Sequence, residues 1–173
     1  LSAWIPKTHA AMAPIVLNIS LRYDLPEGVS IARQHLTPNF DTDTRKSAFY
    51  CMARFGNETD IATLLPLLNE ETVAEEFSRD IRASDIHESN SAPPGLEPQR
   101  ISENRIVRIC DLAMVTVLIL SGEDPKTIFP RFEADRQLGF FIHSLASPTD
   151  LPEDRTEKIK RWKQAHFPEP IKS

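Results

Sequence analysis

Glycine is scarce in this chain, with five in 173 residues, and that scarcity argues against two kinds of architecture. Folds crowded with tight hairpins and loops that cradle phosphates both rely on backbone conformations that glycine adopts without strain. Cysteine is nearly absent too. Cys51 and Cys110 lie far apart in sequence, so the chain is not a disulfide scaffold. Two thiols inside helices read as small buried apolar groups, and a single bridge between them is the alternative left open. No apolar run approaches the ~20 residues that a membrane-crossing helix needs. The longest, Leu112–Leu120, is interrupted at Thr116.

A surplus of positive charge is also missing. The formal net charge is −5. Residues 1–70 carry −1, residues 71–105 carry −4, and residues 106–173 are neutral. Binding to a phosphate backbone depends on neutralising its charge, and no basic face exists here to do it, so nucleic acid is not an expected partner.

What is present is ordinary for a globular chain: 40% hydrophobic and 26% charged residues. The length predicts a single domain over residues 1–173. Proline is plentiful at 14 and punctuates helices. The chain begins at Leu1 rather than Met. That suggests a trimmed product, with an exported or membrane-anchored precursor as one source, and leaves localisation open.

Helical spacing dominates. A first helix is expected over about Thr8–Tyr23, capped by Thr8, with Met12, Ile15, Val16 and Ile19 on one face. A short second helix follows from Pro26 to Leu36, with Val29, Ala32, Arg33 and Leu36 on one side. The clearest pair comes next. Asp43 caps a helix carrying Ala48, Phe49, Met52, Ala53 and Phe55, and Gly56 closes it in a left-handed turn. Thr59 or Asp60 opens its partner, where Ile61, Leu64, Leu65 and Leu68 follow the i, i+3, i+4, i+7 pattern. So short a connection implies antiparallel packing.

Residues 71–105 break this pattern. The run from Ser89 to Gly95 predicts an exposed loop, taken here as 87–100. On either side, weak period-two character allows a short β-hairpin within 72–109, with Phe77, Ile81 and Ile106 facing inward; a frayed helix over 72–81 is the competing reading. From about Val107 or Ile109 to Leu120 a helix is apolar all round and is expected to be buried, with Asp111 near its amino end and Ser121-Gly122 closing it; its β-branched residues make a strand the competing reading. About 25 irregular residues follow, bearing Phe129, Phe132, Phe140 and Phe141. These four either plug the end of the helical stack or form an apolar patch for a partner. A last helix, Pro152–His166, carries Leu151, Arg155, Ile159 and Trp162 as a docking stripe. Lys158, Lys160, Arg161 and Lys163 read as its solvated face.

No cluster reaches a catalytic, cofactor or metal signature. Asp41 to Thr44 lacks the glycine and distal glutamate of a calcium loop. The histidines at 9, 35, 87, 143 and 166 never stand at metal-ligand spacing. Ser47 and Ser121 lack a glycine-flanked nucleophile elbow. Glu70, Glu71, Glu75 and Glu76 read as an exposed acidic face. The expectation is no catalytic residue, no cofactor and no metal.

Arg54-Phe55-Gly56-Asn57 followed by Ile61–Leu68 resembles a HEAT repeat, in which a first helix ends in a small-residue turn and a second is leucine-rich. The stretch Asp111–Lys126, with its Gly-acidic-Asp-Pro-Lys exit and a later Trp162, is similar to uncharacterised planctomycete proteins with HEAT-like helices. The resemblance implies a mainly all-α chain, an α-α superhelix of antiparallel helix pairs, and brings no catalytic residues. It points to a non-enzymatic module for protein–protein interaction or scaffolding. Two alternatives remain: a capping domain of a larger exported protein, and an enzyme whose site is assembled from distant residues.

Overall fold

The computed structural model describes residues 12–82, 100–148 and 152–168. The chain is mainly helical. Among the described residues, six α-helices are joined by short 3-10 turns and by one long β-hairpin. The first helix, α1, is Ala13–Arg22. Thr8, its expected cap, lies outside the described residues. The buried face is Ala13, Val16, Leu17, Ser20 and Leu21, rotated from the expected one. Met12 and Ile15 are exposed, while Ser20 is buried with its hydroxyl satisfied, donating to the Val16 carbonyl at 2.8 Å. The second, α2, is Gly28–Gln34 and buries Ile31 and Ala32.

The third, α3, is Thr42–Phe55. Asp41, not Asp43, is its cap: one carboxylate oxygen accepts from the Thr44 amide at 2.9 Å and the other from the Thr44 hydroxyl at 2.6 Å. Asp43 sits in the first turn and pairs with Lys46 at 2.8 Å. At the far end Gly56 is extended, with φ −69° and ψ 177°, rather than left-handed. Glycine is still required there, since a β-carbon would meet the Met52 carbonyl oxygen at 2.4 Å.

The expected second helix of this pair is broken up. A 3-10 turn over Glu58–Asp60 leads into α4, Ile61–Leu64, and a further 3-10 turn runs over Leu65–Asn69. Pro66 explains the change. It has no amide to give the Ala62 carbonyl, and its ring crowds that carbonyl, so the α-helical ladder cannot continue through it. Of the leucines, Leu64, Leu67 and Leu68 are buried while Leu65 is only partly so.

Between these turns and α5 lies the hairpin, β1 (Val73–Arg82) paired antiparallel with β2 (Arg100–Arg108). The two-residue β5 (Ser147–Pro148) adds to β2. A strand pair, not a frayed helix, thus occupies this region. Phe77 packs against the core, as expected, whereas the Ile81 side chain and the 87–99 loop lie outside what is described. The helix α5, Ile109–Ser121, is buried at every residue from Ile109 to Leu118. Gly122 closes it with φ 72°, and Glu123 N–H donates to the Leu118 carbonyl at 2.9 Å, a left-handed closure that favours glycine. A small hairpin of β3 (Ala134–Asp135) and β4 (Gly139–Phe140) then packs on α3. The chain ends in α6, Pro152–His166. One hydrophobic core runs through α1–α5 and reaches Phe129, Phe140 and Ile159.

Candidate functional site

The helix α6 is the one element whose two adjacent stripes do different work. Arg155, Ile159 and Trp162 recur at helical spacing and hold the helix to the body. The Arg155 guanidinium lies 3.0 Å from the Asp111 carboxylate and over the Phe129 ring at 5.2 Å. Ile159 enters the core. The Trp162 indole donates to Glu123 at 3.0 Å and stacks on His166 at 4.3 Å. The docking stripe expected from the sequence is therefore present at three of its four positions; Leu151 lies outside the described residues.

Asp111 is almost fully buried, and its other partner is the Arg108 amide at 2.9 Å. Burial pushes its carboxyl above the usual range, and Arg155, the amide and Arg108 oppose that push. Loss of solvation favours the neutral acid, while a facing cation favours the carboxylate. Arg155 also explains why α6 cannot slide: its guanidinium is the principal compensation for a charge held in the interior.

The second stripe, Thr156, Lys160 and Lys163, continued by Phe167 and backed by the buried Ile159, faces a gap. It forms one wall of a cavity of about 650 Å³. The opposite wall is Leu68, Asn69 and Glu71, and Cys110 lies on its floor. Two backbone features and one ion pair place this wall. Pro66 forces the 3-10 turn that carries Leu68 and Asn69. Cys110 N–H donates to the Glu70 carbonyl at 3.0 Å. Arg45, buried, then grips the Glu70 carboxylate through both terminal nitrogens at 2.6 Å. That pairing, more than any other influence, holds the Glu70 carboxyl below the usual carboxylate range.

The groove is apolar below and charged at its lip. Leu68, Ile159 and Cys110 are buried. Burial pushes the Cys110 thiol up to about 12, so at neutral pH it is an uncharged, weakly polar surface rather than a nucleophile. Phe167 stands 42% exposed at the open end. On the rim, Lys160 and Lys163 have no ion-pair partner among the described residues, whereas Lys158 pairs with Asp154 and Arg161 with Glu157.

The residues singled out by sequence fare unevenly. Phe129 and Phe140 are buried in the core and cannot present a surface to a partner. Phe132 packs partly against that core, and only Phe141 is exposed, at 37%. The expected four-phenylalanine patch therefore reduces to one ring beside His143, because the β3–β4 hairpin folds its aromatic side onto α3, with Phe140 against Tyr50 at 5.1 Å. Cys51 and Cys110 are both free and buried. His35 is buried against Phe40, while His143 and His166 lie elsewhere on the surface. Among the described residues no group of three or more His, Cys, Asp or Glu could hold a metal ion, and no helix is long and apolar enough to cross a membrane.

Sequence reasoning missed the groove. The signal for it lies in the basic run itself. An exposed lysine on a helix is commonly neutralised by an acid four residues earlier, and Lys158 and Arg161 have one. At that offset Lys160 has Thr156 and Lys163 has Ile159. The four cations thus divide into a solvated pair and a groove-lining pair. No family model, no curated protein and no solved structure matches this chain.

Proposed function

We propose that the chain is a non-enzymatic interaction module that receives a segment of a partner protein in the groove between α6 and the Leu65–Asn69 turn. The observation that carries this reading is the groove itself. A cavity of about 650 Å³ with an apolar floor and a few polar groups at its edge has the make-up of a binding site, not of an unfinished core. In this reading α1–α5 are the scaffold, with α3 packed on α1, α2 and α5, and α6 is the reading element. The expected kinship of residues 54–68 with HEAT repeats supports it by analogy, since helical stacks present grooves to other proteins.

Gln164 also lines the groove, and the test is selection of a random twelve-residue peptide library on the intact chain, with Gln164→Trp as the control that places a bulky ring in it. Enriched peptides should bind the native chain and lose most of their affinity for the variant. If nothing is enriched, or if binding is indifferent to Gln164→Trp, the reading fails.

A further inference from the structure

The charge at the groove's lip says more than the groove's shape does. Resting on the reading just given, we propose that the partner segment is acidic as well as apolar: one large aliphatic or aromatic side chain over Cys110, Ile159 and Phe167, and a neighbouring carboxylate against Lys160 and Lys163. The two lysines are the anion half of the site.

Three observations carry this. First, these lysines have no ion-pair partner among the described residues, on a protein whose net charge is −5. A local positive pair gives an acidic segment a complementary place to dock on a molecule that is otherwise negative. Second, the geometry sets both parts side by side. The lysine stems belong to the wall that includes Ile159 and Phe167, and such stems cover apolar surface while their ammonium groups stay in water. A ligand seated on the floor brings its polar neighbour directly to them. Third, Glu71 on the opposite wall disfavours an acid at that edge, so the carboxylate is directed to the α6 side. The carbonyl end of α6 favours a cation in its last turn, but only weakly at an exposed site. That leaves the ammonium charge of Lys163 available.

The library selection is repeated on Lys160→Glu/Lys163→Glu. Peptides taken on the native chain should contain Asp or Glu within two positions of Leu, Phe, Ile or Trp. Their affinity should fall about tenfold or more on charge reversal, since two attractions become repulsions, and the reversed chain should enrich lysine and arginine instead. Lys160→Gln/Lys163→Gln gives an intermediate loss and serves if the reversed chain does not fold. Peptides that depend on the groove, by the Gln164→Trp control, but lack acids or ignore both lysine variants, overturn the acidic inference alone. Peptides indifferent to Gln164→Trp overturn the groove reading with it.

Discussion

The helices α5 and α6 are of similar length, 13 and 15 residues, and are tied together at both ends, yet they obey opposite rules. Ten of the 13 residues of α5 are buried. Its stability comes from apolar contact on all sides, and its only charge, Asp111, is answered from inside. Most described residues of α6 face solvent, and a few side chains hold it in place. A helix buried all round has no face left to meet anything new. A helix held along one stripe keeps the adjacent one free. That difference locates the site on α6 and leaves α5 as its foundation.

The sharpest way to break the comparison is inside α5. Leu112 is fully buried, and Leu112→Ala should destabilise the chain by about 3–5 kcal/mol through lost transfer energy and the cavity left behind. Chemical denaturation followed by far-ultraviolet circular dichroism measures it. A cost below about 1 kcal/mol would place Leu112 among surface positions and would remove the contrast between the two helices.

The link between them is the next test. Arg155→Ala strips Asp111 of its facing cation and should cost about 2–3 kcal/mol at neutral pH. That lies below the roughly 3–5 kcal/mol of a broken buried pair, because Asp111 can escape by taking up a proton. The pH dependence fixes the sign. In the native chain the folded-state carboxyl of Asp111 already lies above its ordinary value, so the folded state binds more protons than the unfolded one in the window above that value. Asp111 therefore weakens the fold as pH rises through its folded pKa. Removing Arg155 raises that pKa further. The deficit of the variant should be largest at neutral pH and should shrink as pH falls through the raised pKa. Parallel denaturation curves from pH 7 down to pH 5 make the measurement. A deficit that stays constant or grows on acidification would show that Arg155 acts through Phe129 packing alone.

How much of this was legible in the sequence follows from which interactions decide each part. The ends of α3 and α5 and the character of α5 come from local pattern, and the structure keeps them within a residue or two. The rest required partners distant in sequence. Pro66 was in plain view, yet the leucine spacing around it outweighed its missing amide. The buried α1 face includes Ser20, whose hydroxyl is satisfied within its own helix, which a count of apolar residues does not register. The phenylalanines were read as a group because they are neighbours in sequence, while Phe129 meets Arg155 and Phe140 meets Tyr50. As for the site, the lack of an acid four residues before Lys160 and Lys163 sets them apart in the sequence, but the groove they line needs the Leu65–Asn69 turn opposite, which lies some 90 residues earlier in the chain.

The smallest expected effect on stability is also the most informative about function. Lys160 and Lys163 make no ion pair among the described residues, so Lys160→Gln/Lys163→Gln should leave the unfolding free energy within about 0.5 kcal/mol of the native value, as for surface positions free of special contacts. If these lysines instead served as the far end of the α6 dock, the same variant would lose stability in step with Arg155→Ala, and the two changes together would be non-additive, as groups sharing one interaction are. A stability unchanged by the lysine substitutions, set beside a binding loss for acidic peptides, would separate the stripe that holds α6 from the stripe that meets a partner. Equal losses in both would merge the two stripes, and α6 would then resemble α5 as a structural element only.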